Sequence, residues 1–341
     1  MNDILLSIVI PVFNAERYIA DCVASLENRK SKGIEILLVN DGSTDGSLAV
    51  CHCLAQGDNT IRVIDSENKG VSAARNLGMQ NANGKWILFV DADDYLEAGA
   101  VDYIIENLPQ NENVMCRFGM CKDYYRNGIL YESKRLEYPF FIGESANYKK
   151  EFSIKDDFNT LFENNVFDSA CLCLFNKSVV KSKGLLFIEG MRVREDTEFL
   201  LHYLEIVETV EVWNRFLYHY RIDGDEGYSL RRETRIVDIE RIASRYMRTL
   251  STICKERKRG EEAVSYFVYQ LFYGGIVHIA TTNPHRYMKI KEYSDSAMCN
   301  PLLYNMIIKA ASHNKFHKVL LFLFKRRWSS ILSAVCCFRL Q

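Results

Sequence analysis

Short apolar runs alternate with longer amphipathic stretches along the first hundred residues. Four apolar runs predict buried strands, at residues 5–10, 34–39, 61–64 and 86–90. Between them, apolar side chains recur at helical spacing, for example Tyr18, Ile19, Cys22, Val23 and Leu26. Strands that alternate with helices predict right-handed βαβ units and a mostly parallel sheet, so we expect an α/β fold.

Candidate ligand-binding residues follow three of these predicted strands directly. Phe13 and Asn14 come after the first strand, Asp41 after the second, and Asp91 and Asp93 after the fourth. Open α/β sheets bind their ligands at the carboxyl ends of the strands. The pattern therefore predicts one binding site along this edge of the sheet.

The two common glycine-rich phosphate-binding motifs, GxGxxG and GxxxxGK[ST], are absent from the sequence. If the ligand is a nucleotide, its phosphate charge must be met in another way. A divalent cation bound by the oxygens of Asp91 and Asp93 would meet it. We expect Asp94 to be a helix cap or a supporting group, with Tyr95 and Leu96 starting a helix.

Four ordered segments are distinctive, namely SIVIPVFNAERYIADCVASL, EILLVNDGSTDGS, NKGVSAARNLGMQNANGKWILFVDADD and VREDTEF. Together they resemble one enzyme family, the inverting family 2 glycosyltransferases with the GT-A fold. The resemblance is close over residues 5–98 and thin up to about residue 230. It implies a Rossmann-like, mostly parallel central sheet flanked by helices, and a nucleotide-diphosphate sugar, commonly a UDP-sugar, as donor.

The resemblance also implies roles for individual residues at the predicted edge. Asp93 and Asp91 are expected to bind Mn²⁺ or Mg²⁺ on the donor diphosphate. The residues expected to contact the donor nucleotide are Pro11, Phe13, Asn14, Asp41, Arg75 and Asp91.

The pair Glu195–Asp196 precedes an apolar helix face. From the residues alone, acidic side chains at this position favour a helix amino terminus through the helix dipole. The resemblance instead implies that Asp196 is the catalytic base of a direct, inverting displacement, with Glu195 as a possible acceptor contact. His219 and Arg221, together with Ser229 and Arg231, are possible acceptor or loop contacts.

The resemblance, together with the helical spacing of apolar residues in the last part, divides the 341 residues into three parts. Residues 1–105 are the expected nucleotide-sugar-binding half, residues 106–230 the acceptor half with the base, and residues 231–341 a helical carboxyl-terminal extension. The net charge of −1 gives no reason to expect nucleic acid as a partner.

The last part of the chain is basic and apolar. After Asp295 it has seven Lys and Arg residues and no Asp or Glu. Apolar runs flank residues 325–328, KRRW, which predicts that residues 315–341 contact an anionic membrane surface. The alternatives are a basic helical hairpin packed on the rest of the chain, or an oligomer contact.

Other sequence features indicate the cellular setting. Eleven cysteines without a CxxC pair predict buried thiols in the cytoplasm rather than a zinc site. We expect no signal peptide, and no membrane-spanning helix, because no run of about 18 apolar residues occurs. The protein is thus expected at the inner face of the cytoplasmic membrane.

The sequence favours sugar transfer to a glycan or lipid-linked glycan in cell-surface polysaccharide synthesis. One alternative is a nucleotidyltransferase acting on sugar phosphates, which typically has a glycine-rich loop after the first strand. Here that segment reads PVFNAERY. The other alternative is a non-catalytic protein that binds a glycan or a nucleotide.

Overall fold

A computed structural model describes residues 4–27, 32–145, 148–223, 234–310 and 315–339. Ser229 and Arg231 therefore lie outside the described residues. The chain forms two compact units, the first made of residues 1–157, 164–190 and 195–226. The second unit comprises residues 158–163, 191–194 and 227–341.

The first four strands of the first unit are joined by helices, as predicted. The strands are β1 (Leu6–Val12), β2 (Ile34–Asp41), β3 (Ile61–Ser66) and β4 (Trp86–Phe89), and the helices are α1 (Ile19–Glu27), α2 (Ser47–Gly57) and α3 (Val71–Asn81). All three pairings among these strands are parallel. Every residue of β1 and β2 is buried, which explains why both read as continuous apolar runs.

The rest of the first unit extends this sheet with strands of both directions. It contains β5 (Tyr95–Leu96), α4 (Ala100–Glu106), β6 (Val114–Arg126), β7 (Ile129–Arg135), β8 (Lys149–Ser153), β9 (Cys173–Asn176), α6 (Lys177–Ser182), α7 (Glu195–Leu204) and β10 (Thr209–Asp223). Helix α5 (Ile154–Glu163) contributes residues to both units. The strand order is β3-β2-β1-β4-β9-β6-β10-β5, with β7 on β6 and β8 on β10.

The predicted α/β fold with a central sheet flanked by helices is confirmed. The parallel arrangement holds among β1–β4, whereas β9 and β5 join the sheet by antiparallel pairing. The expectation that Tyr95 and Leu96 start a helix is wrong, since they pair with His219 and Tyr218 of β10. Their extended conformation depends on pairing with β10, which the local sequence does not predict.

The hairpin between β6 and β7 turns at Asn127 and Gly128. Their φ angles of 52° and 75° lie in the left-handed region, which an Asn-Gly pair adopts readily in two-residue hairpin loops. Residues 129–135 of β7 are exposed along their whole length. The hairpin therefore extends into solvent beyond the core.

Aromatic packing fixes α7 against the centre of the sheet. The Phe187 and Phe199 rings stack with centroids 4.1 Å apart, and Phe89 meets Phe187 edge to face at 5.2 Å. Phe175 of β9 contacts both Phe199 and Tyr203 of α7, at 5.2 and 5.1 Å. This core holds the first turn of α7 in place relative to the end of β4.

The second unit is helical in its described residues, in agreement with the predicted carboxyl-terminal extension. Its helices are α8 (Ile236–Ile253), α9 (Arg257–Thr282), α10 (Arg286–Cys299), α11 (Pro301–Lys309), α12 (Lys315–Lys325) and α13 (Ser329–Arg339). The apolar face of α8 is buried at Ile239, Ile242, Tyr246 and Leu250. Helices α12 and α13 pack against each other as a hairpin.

The expectation that no helix could span a membrane needs correction. Helix α9 has 26 residues and is long and apolar enough to do so by length and composition. Less than half of its apolar window is buried within the structure. The sequence reasoning missed it because polar residues interrupt the apolar run while the helix continues through them.

Candidate active site

The loops that follow β1 and β2 are tied together at the carboxyl edge of the sheet. Asn14 adopts a left-handed φ of 50°, which asparagine tolerates better than most residues. Its side-chain oxygen accepts a hydrogen bond from the Thr44 backbone N–H at 2.8 Å, and its own N–H donates to Ser43 Oγ at 3.1 Å. Pro11 is buried within β1, while Phe13 keeps 48% of its side chain exposed at this edge.

Asp41 is buried and shapes the next loop along the edge. Its carboxylate accepts hydrogen bonds from the backbone N–H groups of Lys69 and Gly70, at 2.8 and 2.9 Å. The same loop passes so close to Gly42 that a Cβ there would lie 2.6 Å from the Asn68 nitrogen. Asp41 thus positions the entry to α3, and its expected contact with the nucleotide base stays a prediction.

Arg75 brings together two acidic motifs that lie far apart in the sequence. From a buried position on α3, its guanidinium contacts Asp91 at 2.8 Å and Glu195 at 3.4 Å. The guanidinium also lies 5.3 Å from the Phe187 ring centroid. Burial lowers the pKa of Arg75, but the neighbouring carboxylates, Asp91 first, raise it well above its ordinary value. Arg75 is therefore a permanent positive charge between the two motifs.

Three aspartates at the end of β4 have different surroundings. Asp94 is buried and accepts hydrogen bonds from the Tyr218 hydroxyl at 2.6 Å and the Arg221 backbone N–H at 2.8 Å. Burial, followed by the charges of Asp93 and Asp91, raises the pKa of Asp94 well above its ordinary value. The Asp91 side chain is 35% exposed, and Asp93 is half-buried. Asp94 is therefore a supporting group, and the other two can face a ligand.

The donor set of this edge fits a hard divalent cation. Asp91 and Asp93 offer carboxylate oxygens, which Mn²⁺ and Mg²⁺ prefer. Among the described residues, no group of three or more His, Cys, Asp or Glu side chains is arranged as a complete metal cage. Mg²⁺ is commonly held by one or two carboxylates together with substrate phosphates. The pair suits a cation that arrives with a diphosphate.

Glu195 and Asp196 form the first turn of α7. Glu195 is buried against Arg75, whereas Asp196 is half-buried and accepts a hydrogen bond from the Thr197 N–H at 2.8 Å. The Asp196 carboxylate contributes to the raised pKa of Arg75, so it lies within electrostatic reach of that guanidinium. The structure therefore brings the predicted base to the same edge as Asp91.

His219 occupies a different setting from the one expected for a loop contact. It lies within β10, and its ring nitrogens contact Asp123 Oδ2 and Glu97 Oε2, both at 2.7 Å. Its ring stacks on Tyr95 with centroids 4.6 Å apart. Both ring nitrogens already have carboxylate partners, so the structure places His219 in a hydrogen-bonded network beside the edge.

Arg221 lies among three tyrosine rings next to Asp93. Its guanidinium is 4.6 Å from the Tyr125 centroid and 5.4 Å from those of Tyr18 and Tyr95. Its Nε donates to the Asp93 carbonyl oxygen at 3.2 Å. Arg221 therefore holds the backbone that presents Asp93.

Two partners of the site could not be found from the sequence. Tyr218 is buried and joins the Asp91 backbone N–H to the Asp94 carboxylate through its hydroxyl. Phe187 lies under Arg75. Phe187 comes from a segment without a recognisable motif, and the packing of α7 brings it to the edge. Tyr218 directly precedes the predicted contact His219, but only the pairing of β10 places its hydroxyl at the edge.

Comparisons with known proteins agree with this arrangement. A family model described as "Glycosyl transferase family 2" matches residues 7–182. The glycosyltransferase GlyA of Streptococcus pneumoniae is 31% identical over 220 residues, covering 64% of this chain and 30% of GlyA. EpsJ of Bacillus subtilis, described as an uncharacterized glycosyltransferase, is 31% identical over 217 residues, covering 64% of this chain and 61% of EpsJ.

A solved structure shares the fold of nearly the whole chain. TarS 1–349 of S. aureus in complex with UDP-GlcNAc superposes with a TM-score of 0.65 at 16% identity, covering 97% of this chain and 90% of that one. The chain spans less than two thirds of the length of GlyA and EpsJ. The family match favours sugar transfer over the two alternative functions. Because it spans more than half of the residues, the chain belongs to glycosyl transferase family 2.

Proposed function

We propose that the protein transfers a sugar from a UDP-sugar to a hydroxyl of a glycan or lipid-linked glycan, with inversion at the anomeric carbon. The observation that carries this proposal is Arg75, which contacts Asp91 at the end of β4 and Glu195 beside Asp196. A donor-binding carboxylate and a base must lie on one edge for a single displacement. Complexes of TarS with UDP and with UDP-GlcNAc support a uridine nucleotide by analogy.

Asp196 acts as the base in the proposed reaction. Its carboxylate takes the proton of the acceptor hydroxyl while that oxygen bonds to the anomeric carbon. The bond from the anomeric carbon to the diphosphate oxygen breaks on the opposite side, and UDP leaves. A bound Mn²⁺ or Mg²⁺ on Asp91 and Asp93 would supply a Lewis acid that neutralises the charge of the diphosphate.

A donor screen tests the proposal. The thermal midpoint of the full chain is measured with Mn²⁺ and a panel of nucleotide-sugars, because a ligand of the folded state raises stability with its concentration. A UDP-sugar is expected to give the largest shift, and EDTA should remove it. NMR of the product should then give the opposite anomeric configuration to the donor. Retention of configuration would contradict the mechanism.

We also propose that the second unit contacts the inner face of the cytoplasmic membrane through the turn between α12 and α13. Lys325, Arg326 and Arg327 are exposed there. Exposed apolar side chains accompany them, namely Val319, Phe322, Trp328 and Ile331. Apolar side chains beside cations suit the interface of a bilayer with anionic lipids. This location would suit a lipid-linked acceptor, and one relative is a teichoic acid poly(glycerol phosphate) polymerase of Staphylococcus epidermidis, 26% identical over 219 residues.

Vesicle sedimentation tests the membrane proposal. The full chain should sediment with vesicles that contain phosphatidylglycerol and much less with vesicles of phosphatidylcholine alone. Replacing Lys325, Arg326 and Arg327 by Gln should reduce binding, since each basic residue near the surface contributes about 1 kcal/mol. Equal binding by the variant would refute this surface. The matched control replaces the exposed Lys258, Lys289 and Lys309 by Gln.

A further inference from the structure

A second cavity lies beside the proposed donor site in the first unit. It encloses about 500 Å³, and its lining residues are Arg17, Tyr125, Arg126, Asn127, Gly128, Tyr131 and Asp223. The loop before α1, the β6–β7 hairpin and the end of β10 form its walls. None of these residues has a role in the donor chemistry proposed above.

Two guanidinium groups dominate the charge of this cavity. Arg17 lies 5.4 Å from the Tyr18 ring centroid, and Arg126 lies 5.3 Å from that of Tyr131. Neither forms an ion pair with a carboxylate of the described ranges. Cation–π contacts hold a guanidinium in place without using its N–H groups. Both side chains therefore keep hydrogen-bond donors for a ligand.

The cavity is connected to the donor edge through shared side chains. Tyr125, in its wall, lies 4.6 Å from the guanidinium of Arg221, and the Nε of Arg221 donates to the carbonyl oxygen of Asp93. Asp223, also in the wall, accepts a hydrogen bond from Tyr18 at 3.2 Å. A long ligand in the cavity is thus one layer of side chains away from Asp93.

We propose that this cavity is an acceptor subsite for a glycan that carries phosphate or carboxylate groups. The planar fork of Arg recognises both anions through paired N–H donors. The rings of Tyr125 and Tyr131 offer flat surfaces for sugar rings, and Asp223 and Asn127 offer polar atoms for hydroxyl groups. This inference rests on the proposed function, since it names the class of acceptor for the same site.

Isothermal titration calorimetry of the full chain, saturated with UDP and Mn²⁺, tests the proposal. The probes are a glycerol phosphate trimer, a galacturonic acid trimer and neutral maltotriose. At least one anionic trimer should bind about tenfold more tightly than maltotriose. The trimer that binds identifies the anion as phosphate or carboxylate. Equal binding of all three probes, or no binding of either anionic trimer, would overturn the proposal.

Variants assign the recognition to the cavity. The double substitution Arg17→Gln and Arg126→Gln should weaken the anionic trimer about tenfold or more, since two charged donors are lost. The double substitution Arg241→Gln and Lys258→Gln also removes two positive charges, from exposed positions in the second unit, and should have no effect. Wild-type affinity in the double variant would refute the assignment.

Asp223→Asn is expected to raise the affinity for the anionic trimer, in contrast to the arginine substitutions. It removes the only carboxylate among the described lining residues while leaving an oxygen that accepts from Tyr18. Binding of the anionic trimer should tighten severalfold, whereas weaker binding would show that the carboxylate recognises the ligand. UDP affinity is measured separately in each variant. A wild-type protein that binds the anionic trimer but not UDP would refute the donor assignment and leave the subsite intact.

Discussion

Two edges of the same sheet carry carboxylates in opposite circumstances. At the amino ends of the strands, buried Glu35 of β2 accepts hydrogen bonds from Ser7 at 2.6 Å, Arg62 at 3.1 Å and the Asn83 side chain at 3.1 Å, and a further one from the Asn83 N–H. At the carboxyl ends, three aspartates follow β4 within four residues. At the first edge the carboxylate has hydrogen-bond donors from the protein, whereas at the second edge several negative charges lie close together.

The pKa shifts at the two edges differ in direction for this reason. Burial of Glu35 favours its neutral form, but the hydrogen bonds from Ser7, Asn83 and Arg62 outweigh it, and its pKa is lowered. Burial and the charges of Asp93 and Asp91 raise the pKa of Asp94. A carboxylate that hydrogen bonds within the protein keep ionised stabilises the fold, whereas neighbouring carboxylates that repel one another favour the binding of a cation.

The largest expected effect is on catalysis at the carboxyl edge. Asp196→Asn should lower kcat by about 10²- to 10⁴-fold, the usual contribution of a general base. UDP affinity should stay unchanged, because Asp196 acts on the acceptor hydroxyl. Single-turnover assays and calorimetry separate the two quantities. A variant that still transfers sugar at the wild-type rate would place the base elsewhere.

Arg75 is a buried cation between Asp91 and Glu195, so its loss should affect both folding and binding. Arg75→Met removes the guanidinium that contacts buried Glu195 and partly buried Asp91. This loss should lower the free energy of unfolding by about 3 kcal/mol. Urea unfolding measures this loss. Arg75→Lys keeps the positive charge but lacks the planar guanidinium that can contact both carboxylates, so its stability should lie between those of wild type and the Met variant. A Met variant as stable as wild type would show that the two ion pairs make no net contribution to the free energy of unfolding.

Asp93→Asn tests whether the carboxyl edge binds a cation. In the presence of Mn²⁺ it should weaken UDP binding by about 10- to 100-fold or more. Losses of about this size are typical when a residue that only supports a metal ligand is mutated, and the loss of a ligand itself should be no smaller. With EDTA, wild type and variant should bind UDP equally weakly. The free energy of unfolding without metal should change by less than about 0.5 kcal/mol. Unchanged Mn²⁺-dependent binding would contradict the metal assignment.

Glu35→Gln tests the opposite edge and should leave UDP binding unchanged. It should reduce the free energy of unfolding at pH 7 by about 1–3 kcal/mol, since donors paired with the carboxylate lose a charged acceptor. Because the folded pKa is lowered, this stabilisation is present above the ordinary value of 4.5 and is lost as the pH falls through the folded pKa. The difference between wild type and variant should therefore shrink in acid, as urea unfolding at several pH values would show. A difference that persists unchanged in acid would exclude this explanation.

The sequence predicted the first four strands, their helices and the position of Asp91 and Asp93 at the edge. These features follow from local periodicity and from the rule that parallel strands end on one side. Residues 95 and 96 show where local reasoning fails, because their pairing partner lies more than a hundred residues away in β10. The same holds for Tyr218, whose hydroxyl reaches Asp91 and Asp94 only through the tertiary structure.

The sequence by itself determined the family, the α/β rhythm and the residue types that can bind a cation or take a proton. Only the tertiary structure decided which of these residues support the site and which can face a ligand. It buried Asp94 on Tyr218, engaged His219 with Asp123 and Glu97, and joined Asp91 to Glu195 through Arg75. The physical reason is that residue type fixes which interactions a side chain can form, while burial and the nearest partners decide which of them it forms.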